Sequence, residues 1–371
     1  MTHPPVRRTL VIEQPYRARI VDLPEPELHE GCFRVETLYS GLSAGTELSW
    51  FRGSNPCLRK TFDPRLRLFT DGQPPAAYPV RKLGYMEVGL VTDTRTPEVR
   101  SGSLVSLAIG HATSHVLHVL DDHFVPLPPD LDPLLGVYLA HMGPICANAL
   151  LHAAAETVGG GVQHLGDGVR GRRVLVTGAG VIGLLTGLFA LHHGAAAVAV
   201  ADRTPARLAA AAGLGMIPLP EEGVDVARRI KQQWHHDAHD RGADLVFQCR
   251  GQAASLATAL RSLRPQGTVI DLAFYQDGAD SVQLGEEFHH NGLAIRAAQI
   301  GRVPRGQAHL WDRDRLALET LALLRAAGDD IVEYLVTDVV PFDDAPKLLA
   351  DLAARRRHVI QAVFEMPAAR R

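Results

Sequence analysis

The rhythm of apolar and polar positions changes along this chain. From about residue 9 to residue 128 the apolar runs are short and broken by Gly and Pro, as at 32–39, 88–92 and 103–108, which predicts an all-β or barrel-like unit. Within it, residues 54–78 are rich in Pro, Arg and Asp and predict a long loop, either lining a site or forming a solvated excursion. Residues 134–155 then read as helix, and the Gly-rich stretch 159–171 as a connection. Beyond it strands and helices alternate: strand 174–177, helix 184–193, strand 197–201, helix 205–212, strand 216–219, helix 224–234, strand 243–248, helix 253–263, strand 267–273 and strand 293–300. Pro205 suits the first position of its helix, where no N–H is needed. Alternation of this kind predicts a parallel, doubly wound sheet whose strand ends form a ligand crevice. The tail reads helix at 316–327, helix at 344–354 and strand at 359–364, and its pattern alone does not say which sheet it joins.

The first of these strands runs into Gly178-Ala179-Gly180-Val181-Ile182-Gly183. Gly178 permits a tight turn, Gly180 lets the backbone approach a pyrophosphate, and Gly183 lets the helix pack closely on the strand. The free N–H groups and positive dipole end of that helix then meet the anion, so the strand–turn–helix context predicts a bound dinucleotide. Asp202 lies 19 residues beyond Gly183, where a carboxylate at a strand end accepts hydrogen bonds from the adenosine ribose. Its charge repels a 2′-phosphate and so favours NAD over NADP, while Arg203 beside it supplies a cation that could pair with that phosphate.

Composition narrows the class. A chain of 371 residues, 46% hydrophobic and 21% charged, fits two globular domains with sizeable cores. A formal net charge of −3, without a basic stripe, points away from nucleic acid and toward a small-molecule substrate. No signal-peptide pattern opens the sequence, and the longest apolar run, residues 178–191, is too short to cross a bilayer, so the expectation is a cytoplasmic protein with no membrane partner. Cys32, Cys57, Cys146 and Cys249 are scattered without a CxxC pair, which speaks against a disulfide framework or a zinc knuckle.

With a β-rich front, a central nucleotide fold and the tail segment Val336-Thr-Asp-Val-Val-Pro341-Phe342, the chain resembles the medium-chain dehydrogenase/reductase superfamily, nearest its zinc-type alcohol, sorbitol and threonine dehydrogenases. Gly84 and Gly89 keep the family's Gly-His-Glu-x-x-Gly spacing, and the run Val125-Pro-Leu-Pro-Pro-Asp-Leu-Asp132 is also similar. The resemblance implies a GroES-like β-barrel catalytic domain, residues 1–154 completed by 302–371, and a Rossmann cofactor domain over 155–301. It also implies a homodimer or homotetramer. Arg250 and Phe274, which follow sheet strands, and Arg357, before the last strand, take cofactor-side roles by the same resemblance, with a solvated or packing role as the alternative for each.

The family's catalytic zinc is where the sequence departs. Ser43 stands where the motif Gly-x-Cys-x-Ser-Asp has its cysteine ligand, and Tyr85 and Met86 replace the histidine and glutamate. Glu87 is displaced by one residue, which on a strand reverses the side-chain direction. Cys146 is the one candidate for the third ligand, and a single thiolate cannot supply the three protein ligands of a catalytic zinc. The four-cysteine structural zinc loop is missing too, since residues 101–120 contain no cysteine. The enzyme is therefore expected to be zinc-free, its 18 histidines being surface or hydrogen-bonded structural residues.

Without a metal, a side chain must handle charge on the reacting oxygen. Tyr85 is the leading candidate, its alternative being simple packing in the vacated metal space. Ser43 and Thr46 could position a substrate hydroxyl or cap a turn. His141 could exchange protons near neutrality or sit as a satisfied core residue. The expected activity is zinc-independent, NAD(P)-dependent interconversion of an alcohol and a carbonyl on a polyol, sugar, cyclitol or specialised metabolite. The competing readings are an NADPH-dependent enoyl or quinone reductase and a non-catalytic nucleotide-binding protein.

Overall fold

The alternating stretch folds as a six-stranded parallel sheet in the order Ile217–Pro220, Ala197–Asp202, Arg173–Thr177, Ala243–Gln248, Leu263–Asp271, Ala294–Ala297. This is the doubly wound order that puts the first strand at the switch point, where the glycine turn leaves the carboxyl edge. The structure, a computed structural model, describes residues 6–71, 76–276 and 278–370. The inner strands are buried apolar runs, Val174, Leu175 and Val176 beside Val198, Ala199 and Val200, as a sheet covered on both faces requires.

The β-rich front forms a GroES-like barrel. A seven-stranded sheet runs Val336–Pro341, Gln361–Glu365, Cys32–Leu42, Glu87–Thr94, Leu104–Leu107, Phe124–Leu127, with Ser114–His118 also paired to Cys32–Leu42. The tail belongs here: Gln361–Glu365 lies antiparallel to the end of Cys32–Leu42, Ala362 opposite Leu42. Phe364, Phe342 and Leu349 from the tail share one core with Leu10, Ile12 and Phe51 from the front, so the two chain ends make a single hydrophobic cluster.

The chain divides into Met1–His141 with Val336–Arg371, and Met142–Leu335. These limits differ from 154 and 301, because Met142–Val158 and Arg313–Tyr334 pack on each other within the second unit. Gly143 lies so close to Thr320 that a Cβ would stand 2.1 Å from its Cγ2. The helix expected over 134–155 is broken into Pro133–Leu135, Gly136–Leu139 and Met142–Val158, with Pro144, which has no N–H to donate, in the first turn of the last piece. The loop expected over 54–78 contains a turn, Pro56–Leu58, and a hairpin, Thr61–Asp63 with Leu68–Thr70, pinned by Phe62 against Phe69. Residues 72–75 of it lie outside the described residues. Among the described residues no single helix is long and apolar enough to cross a membrane.

Candidate functional site

Each glycine of the turn has a distinct physical reason in the second unit. Gly178 has φ +100, in the region that strains other residues, and donates its N–H to the Ala201 carbonyl at 2.8 Å. A Cβ on Gly183 would stand 1.8 Å from the Gly178 carbonyl oxygen, an overlap that only a shift of the backbone relieves. Gly180 is the N-cap of helix Val181–His192, and a Cβ there meets nothing within 4 Å. Open space at a helix N-terminus, where the first N–H groups have no partner within the helix, is what an anionic group needs. Val181 and Ile182, half-buried, form the first turn of that helix.

Asp202 is 2% exposed and faces the turn itself: Oδ2 accepts from Ala179 N at 2.9 Å and Oδ1 from Thr204 N at 2.8 Å. Burial pushes its carboxyl up, but those two N–H bonds, with Arg207 and Arg250 nearby, hold it below the usual carboxylate range. In the structure Asp202 has a structural role, fastening the second strand to the glycine turn. Arg203 is exposed, and Arg250 packs against the turn, its Cβ 3.0 Å from where a Gly178 Cβ would be. Both guanidiniums reach Glu221 Oε2, Arg203 Nε at 3.1 Å and Arg250 Nη1 at 2.7 Å. Sequence reasoning missed Glu221, which follows the neighbouring strand and belongs to no motif.

A second unforeseen feature is a row of polar groups across the strand ends. Thr177 Oγ1 donates to Gln248 Oε1 at 2.5 Å, Gln248 Nε2 donates to Tyr275 Oη at 3.0 Å, and that hydroxyl donates to Asp271 Oδ2 at 2.9 Å. Phe274, beside Tyr275, is 45% exposed, and its carbonyl approaches Gly251 so closely that a Cβ there would lie 2.2 Å away.

In the barrel unit the four candidates for the chemistry come together. Tyr85, half-buried, shares a hydrogen bond with Ser43 Oγ, and Thr46 Oγ1 lies 3.4 Å from the same phenol oxygen. The His141 ring packs against Tyr85 at 4.7 Å between centroids. Ser43 is the N-cap of helix Ala44–Arg52, yet its hydroxyl makes no capping bond. The capping is done by Glu47, whose Oε1 accepts from Ser43 N at 2.7 Å. Glu47 Oε2 lies 2.7 Å from His111 Nε2, and burial, which lowers the His111 pKa, is outweighed by Glu47, so the imidazole is held above its ordinary value. Met86 is buried, and Glu87 turns to His115, 2.6 Å away, and to Ala112 N at 3.2 Å. His111 and His115 carry no sequence motif. The spacing Ser43-x-x-x-Glu47 at a helix start is the one signal that could have found Glu47.

The positions at which the family would bind zinc hold a donor set that does not fit it. Ser43 and Tyr85 are hydroxyls bonded to each other. Burial pushes the Cys146 thiol up to about 12, so it is protonated at neutral pH, and Sγ donates to the Ile182 carbonyl at 3.7 Å. Among the described residues no three His, Cys, Asp or Glu side chains gather into a metal-binding group. Arg357, exposed and in the barrel unit, is ion-paired to Asp338, so any pyrophosphate role would compete with that bond.

The zinc-binding dehydrogenase family matches residues 181–312. D-guloside 3-dehydrogenase of Escherichia coli (strain K12) is 25% identical over 348 residues, covering 92% of this chain and 94% of that one. A protein of Sinorhizobium meliloti 1021, crystallised with NADP, superposes with a TM-score of 0.72 at 18% identity, covering 97% of this chain and 99% of the other. An alcohol dehydrogenase of Escherichia coli CFT073 complexed with NADH gives 0.70 at 15% identity, covering 97% and 99%.

Proposed function

We propose that this chain is a medium-chain dehydrogenase/reductase, and that it acts as a zinc-independent oxidoreductase interconverting a secondary alcohol and a ketone on a polyol or sugar-like substrate, with NAD as cofactor. The observation that carries the reading is the cluster of Tyr85, Ser43 and Thr46 hydroxyls, in which Ser43 and Tyr85 stand at the sequence positions of two zinc ligands of the resembling family. The substrate class is supported by the similarity to D-guloside 3-dehydrogenase over nearly the whole of both chains.

The nicotinamide, when bound, gives or takes a hydride at the substrate carbon. Everything else falls to the protein's own residues. In the reducing direction the Tyr85 hydroxyl donates its proton to the oxygen becoming an alcohol, and in the oxidising direction the phenol oxygen takes that proton back. Ser43 and Thr46 hold the phenol oxygen in place and offer hydrogen bonds to the same substrate oxygen. His141, against the Tyr85 ring, restricts its rotation and brings an imidazole beside the phenol. The glycine turn and the start of helix Val181–His192 hold the cofactor's pyrophosphate, with Arg250 alongside.

NAD is favoured over NADP because Glu221 already occupies both Arg203 and Arg250. A 2′-phosphate would have to displace a carboxylate from two guanidiniums while approaching Asp202. The test is NADH oxidation against a panel of ketoses, keto-glycosides and keto-cyclitols, with metal content measured on the same sample. Turnover by metal-free protein that falls in Tyr85→Phe supports the reading. Activity that appears only with stoichiometric zinc overturns it.

A further inference from the structure

Behind the Ser43–Tyr85 pair lies a buried line of polar groups to which the mechanism gives no task. Glu47, 1% exposed, accepts from Ser43 N through Oε1, and its Oε2 meets His111 Nε2. His111 Nδ1 in turn lies 2.7 Å from Ser40 Oγ. The backbone is shaped around that imidazole. His111 itself sits at φ +38, and Gly84, next to Tyr85, has φ +84 and lies so near that a Cβ would be 2.7 Å from Nε2. On the other side Phe364 packs edge-on, 5.0 Å between ring centroids.

Such a line is costly to bury. A carboxylate and an imidazole taken out of water lose their hydration, and only their pairing and further hydrogen bonds offset that loss. A helix beginning at a serine also has a simpler solution, since the serine hydroxyl ordinarily accepts from an N–H in the first turn. Ser43 does not do this. Its carbonyl takes the N–H groups of Thr46 and Glu47, its own N–H goes to Glu47, and its hydroxyl is left for Tyr85. Glu47 is long enough to span from Ser43 N to His111 Nε2, and a side chain one methylene shorter is not able to satisfy both ends.

We propose that Glu47, clamped by His111, which Ser40 holds in turn, is a positioning residue that fixes the Ser43 backbone so that the Ser43 hydroxyl is presented to Tyr85 and not to the helix. The catalytic meaning of this rests on the reading of Tyr85 as proton donor, but its test does not. Tyrosine labelled with 13C at Cζ gives one resonance for each of the seven tyrosines, and that of Tyr85 is the one missing from Tyr85→Phe. The spectra are taken on the full chain without substrate or cofactor.

Ser43→Ala is expected to move the Tyr85 resonance. Glu47→Asp, which keeps the charge and loses the reach, moves it the same way, whereas Glu47→Gln, which loses the charge and keeps the reach, leaves it in place. The double variant Glu47→Asp with Ser43→Ala moves it no further than Ser43→Ala alone. The inference is overturned by a resonance that Glu47→Asp leaves unmoved, by one that Glu47→Gln moves as far as Glu47→Asp, or by full additivity in the double variant. Should Glu47→Asp not fold, Glu47→Gln against Ser43→Ala decides: a resonance that Glu47→Gln moves as far as Ser43→Ala refutes positioning by reach, and one that stays in place supports it. Normal turnover by Tyr85→Phe, with these shifts intact, would remove the catalytic reading and leave the positioning one standing.

Discussion

Replacing Gly180 by Ala separates cofactor binding from folding. A Cβ at Gly180 meets nothing within 4 Å, and φ there is −81, so the substitution introduces neither a clash nor a strained backbone. Its direct cost is the poorer N-cap propensity of Ala, at most about 1 kcal/mol. The new methyl does enter the space that the pyrophosphate must share with the turn. Pushing the anion away breaks one charge-assisted N–H bond, worth about 1.5–3 kcal/mol, which is about 10- to 150-fold in Kd. Gly183→Ala is the contrasting case, because its Cβ falls 1.8 Å from the Gly178 carbonyl oxygen and forces helix and turn apart. It should lower thermal stability by about 1–3 kcal/mol, as overpacked sites do, as well as weakening the cofactor. Fluorescence titration with NADH and thermal denaturation on the same samples check both. Unchanged NADH affinity in Gly180→Ala would refute the assignment of this turn to a pyrophosphate.

Four further outcomes follow from the geometry. Tyr85→Phe should lower kcat by about 10²- to 10⁴-fold, the usual worth of a general acid, with the melting temperature nearly unchanged; steady-state kinetics beside calorimetry would show a purely structural role if the two fell together. Glu221→Ala should free Arg203 and Arg250 and raise NADPH affinity about tenfold relative to NADH, one charge-assisted bond's worth, as read by competition titration. His152 is buried with neither ring nitrogen partnered, and burial pulls its pKa from 6.5 down to about 4. The unfolded chain therefore binds a proton that the folded one refuses between those values, so stability is present above pH 6.5 and lost as pH falls toward 4. His152→Leu should flatten the acid limb of a urea-midpoint profile. Cys146, protonated and buried, should escape alkylation at about pH 8 in the native protein and label after denaturation, as peptide mass spectrometry would record.

The parts of the fold legible in the sequence are those dictated by short-range physics. Gly178, Gly180 and Gly183 can be read from spacing because each answers to a local constraint, a positive φ, an open approach or a close contact, inside a strand–turn–helix unit. The parallel sense of the sheet follows from the alternation of strand and helix patterns. The tail is not legible from its pattern, because Gln361–Glu365 finds its place through a partner, Cys32–Leu42, more than 300 residues earlier. The site shows the same division. Ser43, Thr46, Tyr85 and His141 can be named because they stand in or beside motif positions of a resembling family. Glu47, His111 and Ser40 cannot, since their bonds join residues 64 and 71 apart in sequence and their polarity mimics that of surface positions. Glu221 is hidden likewise, an ordinary acidic residue until the ends of three strands bring Arg203 and Arg250 to it.

On the reading proposed above, this chain moves a hydride under the control of its own hydroxyl groups. The most direct measurement follows deuterium from NADH labelled at the transferable C4 position into the product alcohol, by mass spectrometry, with metal-stripped protein and a panel of ketoses and keto-glycosides. One deuterium is expected on the carbinol carbon with the parent protein, with transfer slowed at least about 100-fold in Tyr85→Phe. Label that never leaves NADH with any carbonyl offered, or transfer restored only by added zinc, would contradict it.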